Sequence, residues 1–191
     1  MKKFRRKAGA VATQLNAYEV ELLTSLVGQL VEMVSEGDPD GFAEPEAASD
    51  PFEEWSRDLT SDPDQPEAAE DPVLRRLFPD AYPHDAAASS DFRRFTERDL
   101  KVKKITDATV VLDRLQATDE GRHEIRIPMS EVDVWLRTLT SLRLAVGTRL
   151  GITDAESADE LAMLPDEDPR AFMVSVYDWL GFAQETLISA V

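Results

Sequence analysis

The chain contains no cysteine. That absence excludes disulfides, thiolate nucleophiles, cysteine-ligated zinc and thiol-based redox sensing. Histidine is almost as scarce: His84 and His123 each sit in a polar, loop-like context, which gives no basis for a histidine metal site or a histidine-dependent triad. No apolar run approaches the roughly 18 residues of a membrane-crossing helix. The start, MKKFRRKAGAVATQLN, has the basic opening of a signal peptide. Its apolar part, AGAVA, runs at once into Gln14, Asn16 and Glu19, so a cytoplasmic protein is expected. Asp38-Pro39-Asp40-Gly41 does not meet the alternating pattern of a calcium loop. The stretch GTRLG lacks the lysine and hydroxyl residue of a phosphate loop. No catalytic residue, metal or cofactor is therefore expected, and the chain reads as a non-enzyme.

Basic residues are also few, 21 against 38 acids, for a net charge of −17 over 191 residues. The imbalance is local. Residues 36–71 hold 14 acids and the single base Arg57, a net of −13, which leaves −4 for everything else. This sets the predicted organisation. Residues 1–36 form a basic arm, a short strand and a first helix. Residues 37–70 are an acidic, largely disordered insert, because high charge with little apolar content cannot offset the entropy of ordering. Residues 71–191 complete the same single domain. Within the insert, Phe52, Trp55 and Leu59 recur at helical spacing, either as a transient turn or as a piece that docks on the domain or a partner.

What remains is helical in pattern. Asn16 and Glu19 form a capping box ahead of Leu23, Leu26, Val27, Leu30, Val31 and Val34, with Gly37 as the stop. Asp71 and Pro72 open a short helix that Pro79 ends. A long helix is predicted from about Ser90 to Gln116, with Ser89 or Ser90 as its cap. Its apolar residues fall into two sets, Phe92, Phe95, Val102 and Val110 on one side and Ile105, Ala108, Val111, Leu112 and Leu115 on another. A helix apolar on two sides is expected to be central. Ile125 and Ile127 alternate with Glu124 and Arg126 as a strand. Ser130 and Asp133 read as a second capping box. A similar strand near AGAVATQL predicts a small two-stranded ribbon, since a lone strand would leave its backbone groups unpaired. A short helix near Ser157–Met163 and a final one from about Pro169 to Ala190 complete a mainly α fold, a bundle of about four main helices with a small β ribbon.

Three features ask for explanation. In WLRTLTSLRLAVGTRLG, Arg143 lies at about 20° on a wheel with Val132 at zero, inside the apolar arc, while Arg137 and Arg149 point elsewhere. The three arginines make no basic stripe. A guanidinium cannot shed its proton, so an inward arginine calls for an anionic or carbonyl partner, and Asp99, Asp113 and Asp178 are the candidates. The reading is either a structural ion pair or an open pocket for an anion or partner. In the last helix Val174, Tyr177, Phe182 and Ile188 form a second apolar face, either buried or meeting another chain, including a second copy of this one. Lys2, Lys3, Arg5, Arg6 and Lys7 form a basic arm that either stays flexible or contacts a polyanion. No other stretch reads as an aromatic-plus-basic platform.

The stretches DPVLRRLFPDAY, DFRRFTERDLKVKKI, the W-L-x-x-L-x-x-L-R-L-x-x-G-T-R-L-G-I run from Trp135 to Ile152, and Y-x-W-L near the C-terminus occur in that order. This order resembles an actinobacterial domain-of-unknown-function family, the AosR-like oxidative-stress regulators. The resemblance spans nearly everything outside the acidic insert. It implies a cytosolic, mainly helical regulator acting through partner proteins, and it supplies no catalytic residues. Thiol sensing does not carry over to a chain without cysteine. The expected function is a non-enzymatic regulatory or adaptor protein working through protein–protein contact, in transcription or a stress response. The alternative is a direct DNA-binding regulator that uses the basic arm.

Overall fold

In a computed structural model of the chain, residues 1–35, 70–165 and 167–191 are described. The expectations for the acidic insert, for Phe52, Trp55 and Leu59, and for Gly37 as a helix stop lie outside the described residues.

The elements are β1 (Arg5–Lys7), β2 (Ala10–Thr13), α1 (Ala17–Ser35), α2 (Pro72–Leu77), α3 (Ala86–Gln116), β3 (Ile125–Pro128), α4 (Val132–Leu150), α5 (Ala155–Ala162) and α6 (Ala171–Ile188). The fold is mainly helical with a small antiparallel sheet, as the residue pattern predicts. The sheet has three strands in the order β1-β2-β3, so the ribbon gains a strand. That strand comes from the basic arm. Ala8 and Gly9 both take positive φ, +47° and +76°, and close a two-residue hairpin that pairs Arg6 with Val11. No Asn-Gly or Asp-Gly announces this turn, and the hairpin is not visible in the sequence pattern. On the other side Val11 pairs with Ile127, and Val11, Ile125 and Ile127 are fully buried.

The Asn16–Glu19 box forms as expected: the Glu19 N–H donates to Asn16 Oδ1 and the Asn16 N–H to Glu19 Oε2, both at 2.9 Å. The box predicted at Ser130–Asp133 does not form. A 3₁₀ turn over Met129–Glu131 leads directly into α4 without a side-chain cap. The start of α3 also differs. Asp85 caps it, and Ser89 instead ties down the preceding loop, accepting from the Tyr82 N–H and donating to the Tyr82 carbonyl. Asp119, Glu120 and Gly121 all have positive φ. Gly121 is required there, because a Cβ would come within 2.7 Å of the Leu15 carbonyl oxygen.

The centre of the domain is α4, packed against α1, α2, α3 and α6, with Trp135, Leu139, Leu142 and Val146 in the core. The expectation that the long helix is central is corrected. One side of α3 packs on α1 and α4 through Ala108, Val111 and Leu115. Its other apolar set faces solvent, with Phe92 42%, Phe95 59% and Val102 41% exposed. A two-sided helix requires neighbours on both sides only when the domain is large enough to supply them.

Candidate functional site

The seam between α4 and α6 accounts for the most distinctive run in the sequence. Gln184 Nε2 donates to Thr140 Oγ1 at 2.6 Å, and Arg143 Nη1 donates to Gln184 Oε1 at 3.2 Å. The Arg143 guanidinium lies 4.7 Å from the Tyr177 ring centre. As positions climb on α4 they descend on α6, so the helices run antiparallel. Two glycines make the crossing close. A Cβ on Gly147 would sit 3.2 Å from Tyr177 Cε2, and one on Gly181 3.4 Å from Arg143 Cζ. Each helix thus carries one large side chain and, a turn later, the glycine that receives the other helix's large side chain: Arg143 and Gly147 on α4, Tyr177 and Gly181 on α6.

The carboxylate partner expected for Arg143 is not there. Asp99, Asp113 and Asp178 are all exposed, and Arg143 forms no ion pair among the described residues. Asp99 and Asp113 share the α3 stripe of Phe92, Phe95 and Val102, which faces solvent. Asp178 follows Tyr177 directly, so it projects about 100° further round α6. Arg143 is half-buried, and its Nε is sealed from solvent without a hydrogen-bond partner. An amide oxygen and a ring face replace the acid, which suits a guanidinium better than an ammonium.

This seam borders a cleft of about 300 Å³ lined by Arg76, Arg143, Thr148, Ile152, Asp154 and Tyr177, among others. Its floor is fixed by the end of α4, where Gly151 takes φ +79° and the Ile152 N–H returns to the Gly147 carbonyl at 2.8 Å. Asp154 caps α5. The Ser157 N–H, then the Ser157 and Thr153 hydroxyls, hold its carboxyl below the usual range.

A second concavity, about 350 Å³, opens between α3 and α4, with Leu30, Leu100, Leu136 and Leu144 inside and Lys103, Lys104 and Arg137 around it. Here lies the acid–base pair that sequence reading missed. Arg137 Nε and Nη2 fork onto Asp107 at 2.7 and 2.9 Å. The Asp107 hydrogen bond holds the arginine above its ordinary value. A signal was present, since Asp107 stands four residues before the buried Val111 and shares its stripe. Lys104 donates to Ser141 Oγ at 3.1 Å. Burial lowers its pKa and Asp107 opposes that. Elsewhere on α3, Arg94 stacks on the exposed Phe95 at 4.9 Å.

The proposed α6 interface is discontinuous. Ile188 is exposed, whereas Val174, Tyr177 and Phe182 are half-buried. Tyr177 is committed to Arg143 and Gly147. The basic arm is not free either. Arg6 Nη1 donates to the Val191 carbonyl at 2.7 Å, and Lys7 Nζ pairs with Glu124 at 2.8 Å. Lys2, Lys3 and Arg5 are exposed. No helix among the described residues is long and apolar enough to cross a membrane.

The chain is 28% identical over 186 residues to the oxidative stress regulator AosR of Mycobacterium tuberculosis and of Mycobacterium bovis, covering 92% of this chain and 79% of each relative. It is 29% identical over 187 residues to the putative oxidative stress regulator AosR of Mycobacterium leprae, covering 91% and 79%. No solved structure matches. The family described as a domain of unknown function, DUF2017, matches residues 1–191 from end to end, and the chain belongs to it.

Proposed function

We propose that the chain is a non-enzymatic regulatory protein that acts by binding another protein, and that an acidic, amphipathic segment of that partner seats in the α3–α4 groove. The regulatory part rests on the likeness to the mycobacterial oxidative stress regulators. The groove carries the rest. It is apolar inside, with the half-exposed Leu100 in its lining, and Lys103 and Lys104 stand on its rim beside the Arg137–Asp107 pair. A local basic rim on a chain of net charge −17 selects for carboxylates, and the leucine floor selects for apolar side chains between them. Charge complementarity therefore names the occupant's chemistry. With no cysteine, any part in a stress response proceeds through such contacts and not through a thiol of this chain.

The test places a photo-cross-linking residue at Leu100 in the full chain within its native host, with a control at Glu185 on α6. The expected product is one identified protein, joined through an acidic segment from position 100 but not from 185, and weakened by Lys103→Glu. Cross-links mainly to a second copy of this chain, or equal capture from both positions, would overturn the reading. Saturable, salt-sensitive binding to duplex DNA with no groove cross-link would move it to the direct DNA binder.

A further inference from the structure

The cleft beneath the α4–α6 seam gathers two cations against one carboxylate. Arg143 enters it from α4 and Arg76 from α2. Among the described residues neither forms an ion pair, and the only hydrogen bond of Arg143 goes to a neutral amide oxygen. The one carboxylate lining the cleft is already engaged. Asp154 Oδ1 accepts the Ser157 N–H at 2.9 Å and Oδ2 the Thr153 hydroxyl at 3.2 Å. Asp154 keeps its charge but is turned to its own helix cap, so two permanent guanidinium charges against one carboxylate leave the concave space net positive. Arg143 is also held in place. Tyr177 supports its face and Gly181 lets it lie against the α6 backbone, so little ordering remains when a ligand arrives. The cleft's volume, about 300 Å³, lies at the small end of ligand sites.

We propose that this cleft binds a small oxyanion, the carboxylate or phosphate group of a metabolite-sized ligand, with Arg143 and Arg76 as its charge contacts. The forked donors of a guanidinium match the paired oxygens of either group. The site shares only Leu144 with the α3–α4 groove, so it gives a regulator a ligand input distinct from its partner groove.

The experiment follows backbone amides and arginine Nε–H signals of the full chain by NMR, during titration with inorganic phosphate and, separately, with succinate. Sodium chloride at matched ionic strength is the control. Saturable shifts at Arg143, Gly147 and Thr148 with either probe, and not with chloride, are expected. Phosphate alone identifies a phosphate site, succinate alone a carboxylate site, and both results support the proposal. Arg143→Met and Arg76→Gln should each weaken binding about tenfold or more. Arg76 is exposed on a short helix, so its variant keeps the test valid if Arg143→Met unfolds. No saturable shift with either probe, equal shifts with chloride, or undiminished affinity in Arg76→Gln would overturn it.

Discussion

Arg137 and Arg143 sit on the same helix and are partnered in opposite ways. Arg137, 45% exposed at its side chain, takes the carboxylate, a two-pronged pair with Asp107. Arg143, half-buried in the α4–α6 seam, takes an amide and an aromatic face. Helical angles alone assign the acid to the inward arginine. The structure shows why the reverse holds. The helix that carries spare carboxylates, α3, packs on the Arg137 side of α4, and α6 meets the Arg143 side with Tyr177, Gly181 and Gln184. An inward charge takes whatever its neighbouring helix offers, and a guanidinium can use a ring and an amide where an ammonium would lose more.

The comparison breaks most severely at the seam. Gly147→Val puts a branched side chain where a single Cβ already comes within 3.2 Å of Tyr177. Forcing the ring aside should cost about 1–3 kcal/mol in urea unfolding. On the other arginine, Arg137→Met strands the buried Asp107 carboxylate and should cost about 1–2 kcal/mol, discounted because the pair is partly solvated. Asp107→Leu should cost less, because Arg137 can turn to water. Equal losses from the two would mean that the stranded carboxylate carries no extra penalty.

A third arginine sharpens the contrast through pH. Arg114 forks onto Glu131, and this hydrogen bond holds the Glu131 carboxyl below its ordinary 4.5. A depressed carboxyl stabilises the fold above its unfolded value and loses that contribution as pH falls through the lower folded value. Arg114→Met should thus destabilise by at most about 1 kcal/mol near neutral pH, and the gap to the parent chain should close on acidification below pH 4.5. Paired unfolding curves at neutral and acid pH measure it. A gap that widened in acid would contradict the assignment. The smallest effect belongs to Arg143→Met. It loses one hydrogen bond and a ring contact but removes a sealed, unpartnered Nε, so stability should stay within about 1 kcal/mol of the parent. A loss of several kcal/mol would show that the seam depends on the charge itself.

How much of this was readable depended on range. The Asn16–Glu19 box, the Asp71 cap before Pro72 and the apolar stripe of α4 involve residues within one or two turns, and all form as the pattern predicts. The same short-range reading placed Arg143 facing inward. It missed the hairpin that recruits the basic arm, because Ala8-Gly9 carries only half of the expected turn signal. It also missed Asp107 as a partner, because a lone acid on a buried stripe acquires meaning only when the facing helix is known. The α3 stripe of Phe92, Phe95 and Val102 was read correctly as apolar and wrongly as covered.

Period, capping and glycine placement are local properties of a chain, and they determined that this one is helical, where most of its helices start and end, and that Arg143 and Gly147 share a face. Which helix meets that face is a matter of long-range packing, decided by the joint burial of cores contributed by α1, α3, α4 and α6. Only that packing put Tyr177 and Gly181 opposite Arg143, gave Asp107 to Arg137, left the α3–α4 groove open, and set Arg76 and Arg143 around one cleft.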